Sequence, residues 1–388
     1  MTPQGDWSKQ ADQIQNVLDG INKKLKDPLF TRGSQSNWSD IPGWTSTGSI
    51  LLDAVMTSYD ANRKPIGSGW AWGRWYEIYG PEASGKSTIV EHAFAETQKA
   101  GGTAALLDSE SKLYKPRATQ IGVDLDRLVL MDAPYIEAGI EGFNLLMEAV
   151  QNNKALQQRG ALMAWDTLAS CRTFNEYKYA NKGTLDDKDE DVKKWAGGMA
   201  EKARTIRGMF RDLTNKLPGY RACFILVNQL SSTMAGGKYE KQNDTTGGWG
   251  PRFHSSARLD VSKFGVYVDP YNKERLAGAR VRVKFEKSSL FKPYAQVELP
   301  MDFETGVDNN LSLVEFHQSF TKLVVNKAGR YYCESFFGSE ATGKYLPEFL
   351  TIVKQDELFR DFLLQKLREN VDCFWRKAAG YADKDKDK

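Results

Sequence analysis

Glu77-Ile-Tyr-Gly-Pro-Glu-Ala-Ser-Gly-Lys-Ser-Thr-Ile-Val90 is the stretch whose reading decides the fold. It contains the pattern G-x-x-x-x-G-K-[ST] from Gly80 to Ser87. Bulky residues suited to a strand (Trp75, Tyr76, Ile78, Tyr79) precede it, and Ser87–Lys99 follows with the composition of a helix. In that setting the glycines let successive backbone N–H groups wrap a phosphate, and the helix N-terminus adds a partial positive charge. Lys86 is expected to reach the β- and γ-phosphates and Ser87 to ligate Mg²⁺. The candidate nucleotide contacts are therefore Gly80, Pro81, Glu82, Ala83, Ser84, Gly85, Lys86, Ser87 and Thr88.

Working outward, 388 residues exceed one ordinary core and suggest two to three domains. Hydrophobic content of 41% and charged content of 27% describe a globular protein, and no apolar run approaches the length of a membrane span. The N-terminus lacks the layout of a signal peptide. Four scattered cysteines and three separate histidines show no metal-ligand spacing, which suggests a reduced, cytoplasmic setting. A net charge of +3 excludes a globally basic nucleic-acid binder, so any such contact must come from a local patch.

Ile14, Val17, Leu18, Ile21 and Leu25 mark one face of a helix that Asp27-Pro28 ends; it packs on its own domain or on a neighbour. After a polar linker at 31–40, Ile41–Met56 opens the main domain, with Ser46-Thr-Gly-Ser49 as a helix cap. Residues 57–74 read as a surface loop with several aromatics. Apolar strands then alternate with helices: strands at Thr103–Asp108, Arg127–Met131, Gly160–Asp166 and Arg221–Gln229, helices at Ile136–Val150 and Met199–Leu217. The pattern predicts an α/β fold with a mostly parallel sheet covered on both faces. Ligands in such sheets sit at the carboxyl ends of the strands.

Three of those ends carry nucleotide chemistry. Asp166 suits a holder of Mg²⁺, Glu110 a base that polarises water, and Gln229 an amide that reports the γ-phosphate. Each alone could equally cap a turn. Two long stretches, Leu230–Gly250 and Ser170–Lys194, show no helical or strand period and read as solvated or functional loops. Basic and aromatic residues in the second, Arg172, Lys178 and Tyr177 among them, suit phosphate contact and base stacking.

In this order the motifs resemble those of the RecA-type recombinases, the DNA-strand-exchange ATPases of bacteria and their phages. The likeness runs from about Ser46 to about Tyr332 and includes Leu107-Asp-Ser-Glu110, Asn228-Gln229, Thr246-Gly-Gly248 and Phe253–Asp260. It implies a RecA-like ATPase and DNA-binding core at 41–299, preceded by a subunit-contact helix and linker at 1–40. A small α-rich C-terminal domain and charged tail would occupy 300–388, with Tyr345–Tyr381 helical and its basic residues either solvated or against duplex DNA. It further implies ATP and Mg²⁺ as cofactors, Glu110 as base and Gln229 as sensor. Leu230–Gly250 becomes the main DNA loop, with Ser231, Ser232, Lys238, Lys241, Thr246, Gly247 and Gly248 as contacts. Lys287 would complete a neighbour's ATP site. Two departures stand out: Ser289, beside which Lys292 is an alternative, and Arg117 at the place of an adenine-stacking tyrosine. They suggest a divergent member of the kind phages encode.

The resemblance implies an ATPase that forms helical filaments on single-stranded DNA and exchanges strands with duplex. A ring helicase of the same fold and a coating protein that binds ATP without hydrolysing it are the alternatives.

Overall fold

In the computed structural model the described residues are 7–26, 29–35, 40–180, 198–232, 243–245, 249–339 and 342–378. They fall into two units, one ending at Ile41 and the other starting at Pro42. The first unit holds helix α1 (Trp7–Asn22), with Ile14 and Val17 exposed. The side chain of Asn22 closes it: its Oδ1 accepts from the N–H groups of Leu29 and Phe30, each at 3.0 Å.

The second unit is built on a ten-stranded sheet. Its strands are β1 (Trp75–Gly80), β2 (Thr103–Asp108), β3 (Leu128–Met131), β4 (Ala161–Asp166) and β5 (Ala222–Ser232), then β6 (Asn243–Thr245), β7 (Ala257–Val268), β8 (Leu276–Ser288), β9 (Gln296–Asp302) and β10 (Gly306–Val307). The order is β10-β9-β8-β7-β1-β5-β4-β2-β3, with β6 attached to β5. From β7 to β3 every pairing is parallel, whereas β7 to β10 form an antiparallel meander. β1, β2, β4 and β5 are apolar without alternation because both of their faces are covered.

Helix α2 (Ile50–Val55) begins at Ser49, whose hydroxyl accepts from the N–H of Leu52. Helix α3 (Lys86–Lys99) follows the phosphate loop, and α4 (Lys115–Ile121) follows β2. Helices α5 (Ile136–Asn152) and α6 (Gly198–Lys216) pack Phe143, Ile206, Met209 and Phe210 against Ala105, Leu107, Met163 and Trp165. Phe210 stacks on Trp75 with centroids 4.4 Å apart. Because side chains alternate along a strand, Leu106 faces the other side, where it lines a cavity together with Val90 and Phe94 of α3. Helices thus cover both faces.

Three local expectations are corrected. Residues 57–74 are no surface loop: Trp70 and Trp72 are buried, Thr57–Tyr59 pairs with Pro65–Ser68, and Trp44–Thr45 pairs with Trp70–Ala71. The large apolar rings drive this burial, and the indole N–H of Trp72 donates to Thr45 Oγ1 at 2.9 Å. Leu230–Gly250 has regular structure at its ends. β5 continues to Ser232 and pairs antiparallel with β6, Leu230 opposite Thr245, and Trp249–His254 is helical. Ser170–Lys194 contains a helix, Phe174–Ala180. Thr173 and Glu176 form its reciprocal cap, each side chain accepting from the other's N–H at 3.3 and 2.8 Å.

Beyond the sheet lie α7 (Asn309–Phe316), α8 (Leu346–Gln355) and α9 (Glu357–Glu369), and a three-stranded sheet spans 325–345. Leu350, Val353, Phe359, Leu363 and Leu367 are buried there, while Leu358 is 76% exposed. Among the described residues no helix is long and apolar enough to cross a membrane.

Candidate functional site

β1 carries the loop to the sheet's carboxyl edge. At its end Gly80 has φ 154°, and a Cβ there would strike the carbonyl oxygen of Val261. Gly85 has φ 95° and lies against Met301. These two positions need glycine, and they turn the chain directly into α3. Lys86 folds into the loop, where its Nζ donates to Pro81 O at 2.6 Å, Gly80 O at 3.0 Å and Ser84 Oγ at 3.4 Å. Burial pulls its pKa down, against the pull of Asp166 and Glu110. Pro81, Glu82 and Ala83 are exposed, whereas Ser84 and Thr88 are buried.

Parallel pairing sets the other groups beside the loop, because Gly80 lies opposite Gln229 and Asp108 opposite Asp166. Ser87 Oγ donates to Asp166 Oδ2 at 2.5 Å. Burial raises the pKa of Asp166, and the Ser87 hydrogen bond opposes that. Glu110 Oε1 accepts from Gln229 Nε2 at 3.1 Å and from Thr167 Oγ1 at 3.2 Å. Its other oxygen meets Lys112 at 2.5 Å. Lys86, Ser87, Asp166, Glu110 and Gln229 are therefore one cluster.

A cavity of about 340 Å³ opens beside it, lined at one end by Ser84–Thr88 and Asp166. Leu113, Arg117 and Phe303 line it farther on. Arg117 makes a two-pronged ion pair with Glu91 of α3, through Nε at 3.0 Å and Nη2 at 2.7 Å. Hydroxyl and carboxylate at Ser87 and Asp166 are the hard oxygen donors Mg²⁺ takes, and the loop, lysine and cavity fit a nucleoside triphosphate.

Lys287 is not part of this cluster. It sits on β8 opposite Arg258 of β7, and its Nζ donates to the carbonyls of Arg252 and Phe253, both at 2.8 Å. Ser289 Oγ donates to Ser256 O at 3.2 Å, and Lys292 lies over the ring of Trp375 at 4.7 Å. Of the DNA-contact candidates, Arg172 and Lys178 are exposed, and the backbone of Ser231 and Ser232 is in β5. Lys238, Lys241, Thr246, Gly247 and Gly248 lie outside the described residues.

Four participants escaped the sequence reading. Glu91 and Lys112 are two of them. The others are Glu77 and Arg258, fully and nearly fully buried behind the loop. Arg258 Nε donates to Glu77 Oε2 at 2.5 Å, and its guanidinium lies 4.4 Å from the ring centre of Tyr79. Asn228 Nδ2 donates to Glu77 Oε1 at 3.0 Å, while its own Oδ1 accepts from Gln229 N at 3.0 Å. The strand end that holds Gln229 is thus tied to the strand that carries the loop. A charged residue inside an otherwise apolar strand was the available signal at Glu77, since buried charge demands a partner.

The sequence profile of the RecA N-terminal domain matches residues 12–156 and 186–308. Among similar curated proteins, Protein RecA of Ruegeria pomeroyi is 27% identical over 366 residues, covering 93% of this chain and 94% of that protein. Protein RecA of Chlorobaculum parvum is 29% identical over 360 residues, 92% of each. That of Oleidesulfovibrio alaskensis is 29% identical over 352 residues, 91% of this chain and 87% of its own. A phosphate loop on a buried parallel strand, with Gln229 at the neighbouring strand end, stands within those matched segments, and this chain belongs to the RecA family.

Proposed function

We propose that this protein is a DNA-dependent ATPase of homologous recombination, which coats single-stranded DNA as a helical filament and exchanges strands with duplex. The hydrogen bond between Gln229 and Glu110 carries the reading. It links the group placed to activate water to the first residue before the segment Leu230–Gly250, the expected DNA loop. The side-chain amide of Gln229 has two N–H groups, one on Glu110 and a second that can turn to a terminal phosphate. Donating to the phosphate would move Gln229, and with it the hairpin base of β5 and β6. Glu110 would then keep Thr167 and Lys112 as its holders and turn a free lone pair to water.

Lys86 would exchange its carbonyl partners for phosphate oxygens, and Ser87 with Asp166 would hold Mg²⁺. When bound, Mg²⁺ supplies charge neutralisation between the phosphates. Lys287, away from the cavity of its own chain, would serve a neighbour's site in the filament. Arg172, Lys178 and the segment from Ser231 to Gly248 would follow the DNA backbone and leave sequence recognition to base pairing. The setting is the cytoplasm of a bacterium or of a phage-infected cell.

The test is electron microscopy with ATP and single-stranded DNA, combined with hydrolysis measured with and without DNA. Helical filaments and DNA-stimulated hydrolysis are expected. Closed rings would identify a helicase instead, and ATP binding without DNA-stimulated turnover a coating protein.

A further inference from the structure

Two lysines of this chain line the cavity beside the phosphate loop, Lys86 and Lys112. Lys86 opens α3, and Lys112 stands on the turn that follows β2. That turn is folded on Asp108, whose carbonyl accepts from Ser111 N at 3.3 Å and whose Oδ2 accepts from Leu113 N at 2.8 Å. Ser111 takes φ 53°, in the left-handed region that a residue with a Cβ seldom enters. The reversal returns Lys112 to Glu110, where its Nζ meets Oε2 at 2.5 Å. Glu82 Oε1 of the phosphate loop is 3.7 Å from the same ammonium, within ion-pair range but beyond a hydrogen bond. The charge of Lys112 also reaches Lys86: burial pulls the pKa of Lys86 down, and repulsion from Lys112 adds to that. Arg117, the remaining cation on the cavity wall among the described residues, has Nε and Nη2 on Glu91.

We propose that Lys112 is a catalytic residue for hydrolysis: its ammonium bridges Glu110 and the γ-phosphate, and its charge meets the charge that develops on the transferred phosphoryl group. The inference deepens the ATPase reading above and rests on it. An ammonium carries three N–H donors. One is on Glu110 and Glu82 is beyond hydrogen-bond distance, so two can turn to phosphate oxygens. Glu110, as the base, must stand one water away from the γ-phosphorus, and a cation in contact with Glu110 is therefore within reach of the oxygens on that phosphorus. The side chain of Lys112 is 63% exposed, and its flexible four-carbon stem supplies the remaining travel. In the step itself water adds to the γ-phosphorus and gives its proton to Glu110. The bond from that phosphorus to the oxygen shared with the β-phosphate breaks, and ADP departs with the electron pair. Lys112 exchanges no proton: its pKa is raised, first by the hydrogen bond to Glu110 and then by that carboxylate's charge, so it stays an ammonium. Held by an ammonium that also holds the phosphate, Glu110 is kept at a fixed distance from the reacting phosphorus. Because Lys112 and Lys86 belong to one chain, this second charge needs no neighbouring subunit.

The test uses the full chain with saturating single-stranded DNA and the variants Lys112→Met and Lys112→Arg. At an exposed turn position neither substitution disturbs the packed core. Lys112→Met should lose about 10²-fold in kcat while KM for ATP rises about threefold or less, since the contact tightens as charge develops. Lys112→Arg keeps the charge and should recover turnover to about a tenth of wild type or better. A kcat for Lys112→Met within about twofold of wild type would overturn the proposal. Binding of MgADP with aluminium fluoride, which mimics the phosphoryl group in transfer, separates a phosphate contact from an effect on the base alone. In the Glu110→Gln background, which has no base to position, Lys112→Met should still weaken that binding by about tenfold, with MgADP alone binding as before. No weakening there, or an equal loss for MgADP alone, would also overturn it. Full turnover by Glu110→Gln with Lys112 intact would instead sink the reading of Glu110 as base, on which the proposal rests.

Discussion

The two ends of the cavity beside the phosphate loop are made in different ways. The phosphate end is backbone: two glycines at positive φ, a helix N-terminus, and a lysine and serine consecutive in the chain. The other end is a side-chain contact between two helices, Glu91 of α3 and Arg117 of α4, separated by 26 residues. Backbone sites are specified by local sequence because their geometry is local. Side-chain sites depend on which elements the fold brings together, and they can change without disturbing the loop.

That contrast can be broken experimentally. The largest effect is expected for Lys86→Ala, a loss of about 10³-fold or more in ATP hydrolysis, since a charge aimed at the developing phosphate charge disappears. Turnover measured with saturating single-stranded DNA checks it. Glu110→Gln should reduce turnover by about 10²–10⁴-fold while equilibrium ATP and DNA binding stay near wild type; undiminished turnover would remove the base assignment.

Behind the loop, Arg258→Ala leaves Glu77 buried and unpaired. A destabilisation of about 3–5 kcal/mol is expected in urea unfolding, since breaking a buried pair costs more than the pair contributes. An unchanged midpoint would show that the Glu77 network is dispensable to the sheet. His92, on α3, links the same helix to the sheet's far edge, its Nε2 accepting from Val307 N at 2.8 Å. Burial lowers its pKa from 6.5 to about 4. The unfolded chain therefore takes up the proton first as pH falls, and stability drops between pH 6.5 and about 4, by up to about 3 kcal/mol. His317, also near 4, adds to the same window. Urea midpoints from pH 7 to 4.5 should fall, and less steeply in His92→Gln. The smallest effect sharpens the link between nucleotide and DNA. Gln229→Ala should lower the ATP-dependent gain in DNA affinity by about tenfold, a coupling of ordinary size, and lower the DNA-dependent gain in ATP affinity by the same factor. An intact gain would exclude the amide as the sensor.

Much of the site was legible because each part sits at the end of a readable element. Asp166 closes the apolar run Ala161–Trp165, Gln229 follows Ala222–Asn228, and parallel pairing puts such ends side by side. The aromatic segment 57–74 was misread because glycines and polar residues around Trp70 and Trp72 look like a loop until the rings find Thr45 and the close approach at Gly43 and Gly160. The hairpin of β5 and β6 was hidden for a similar reason, since three paired residues among polar neighbours carry no period.

The amino-acid sequence by itself determined the loop, the alternation that makes a covered parallel sheet, and the residues at its carboxyl edge. These rest on period, glycine and local chain direction, which short stretches encode. Only the tertiary structure decided that Glu77 meets Arg258 across 181 residues, that Glu91 holds Arg117, and that Lys287 turns to Arg252 and Phe253 and not to its own cavity. Such partners are chosen by the need to neutralise buried charge, and that need is met by whichever element packs alongside.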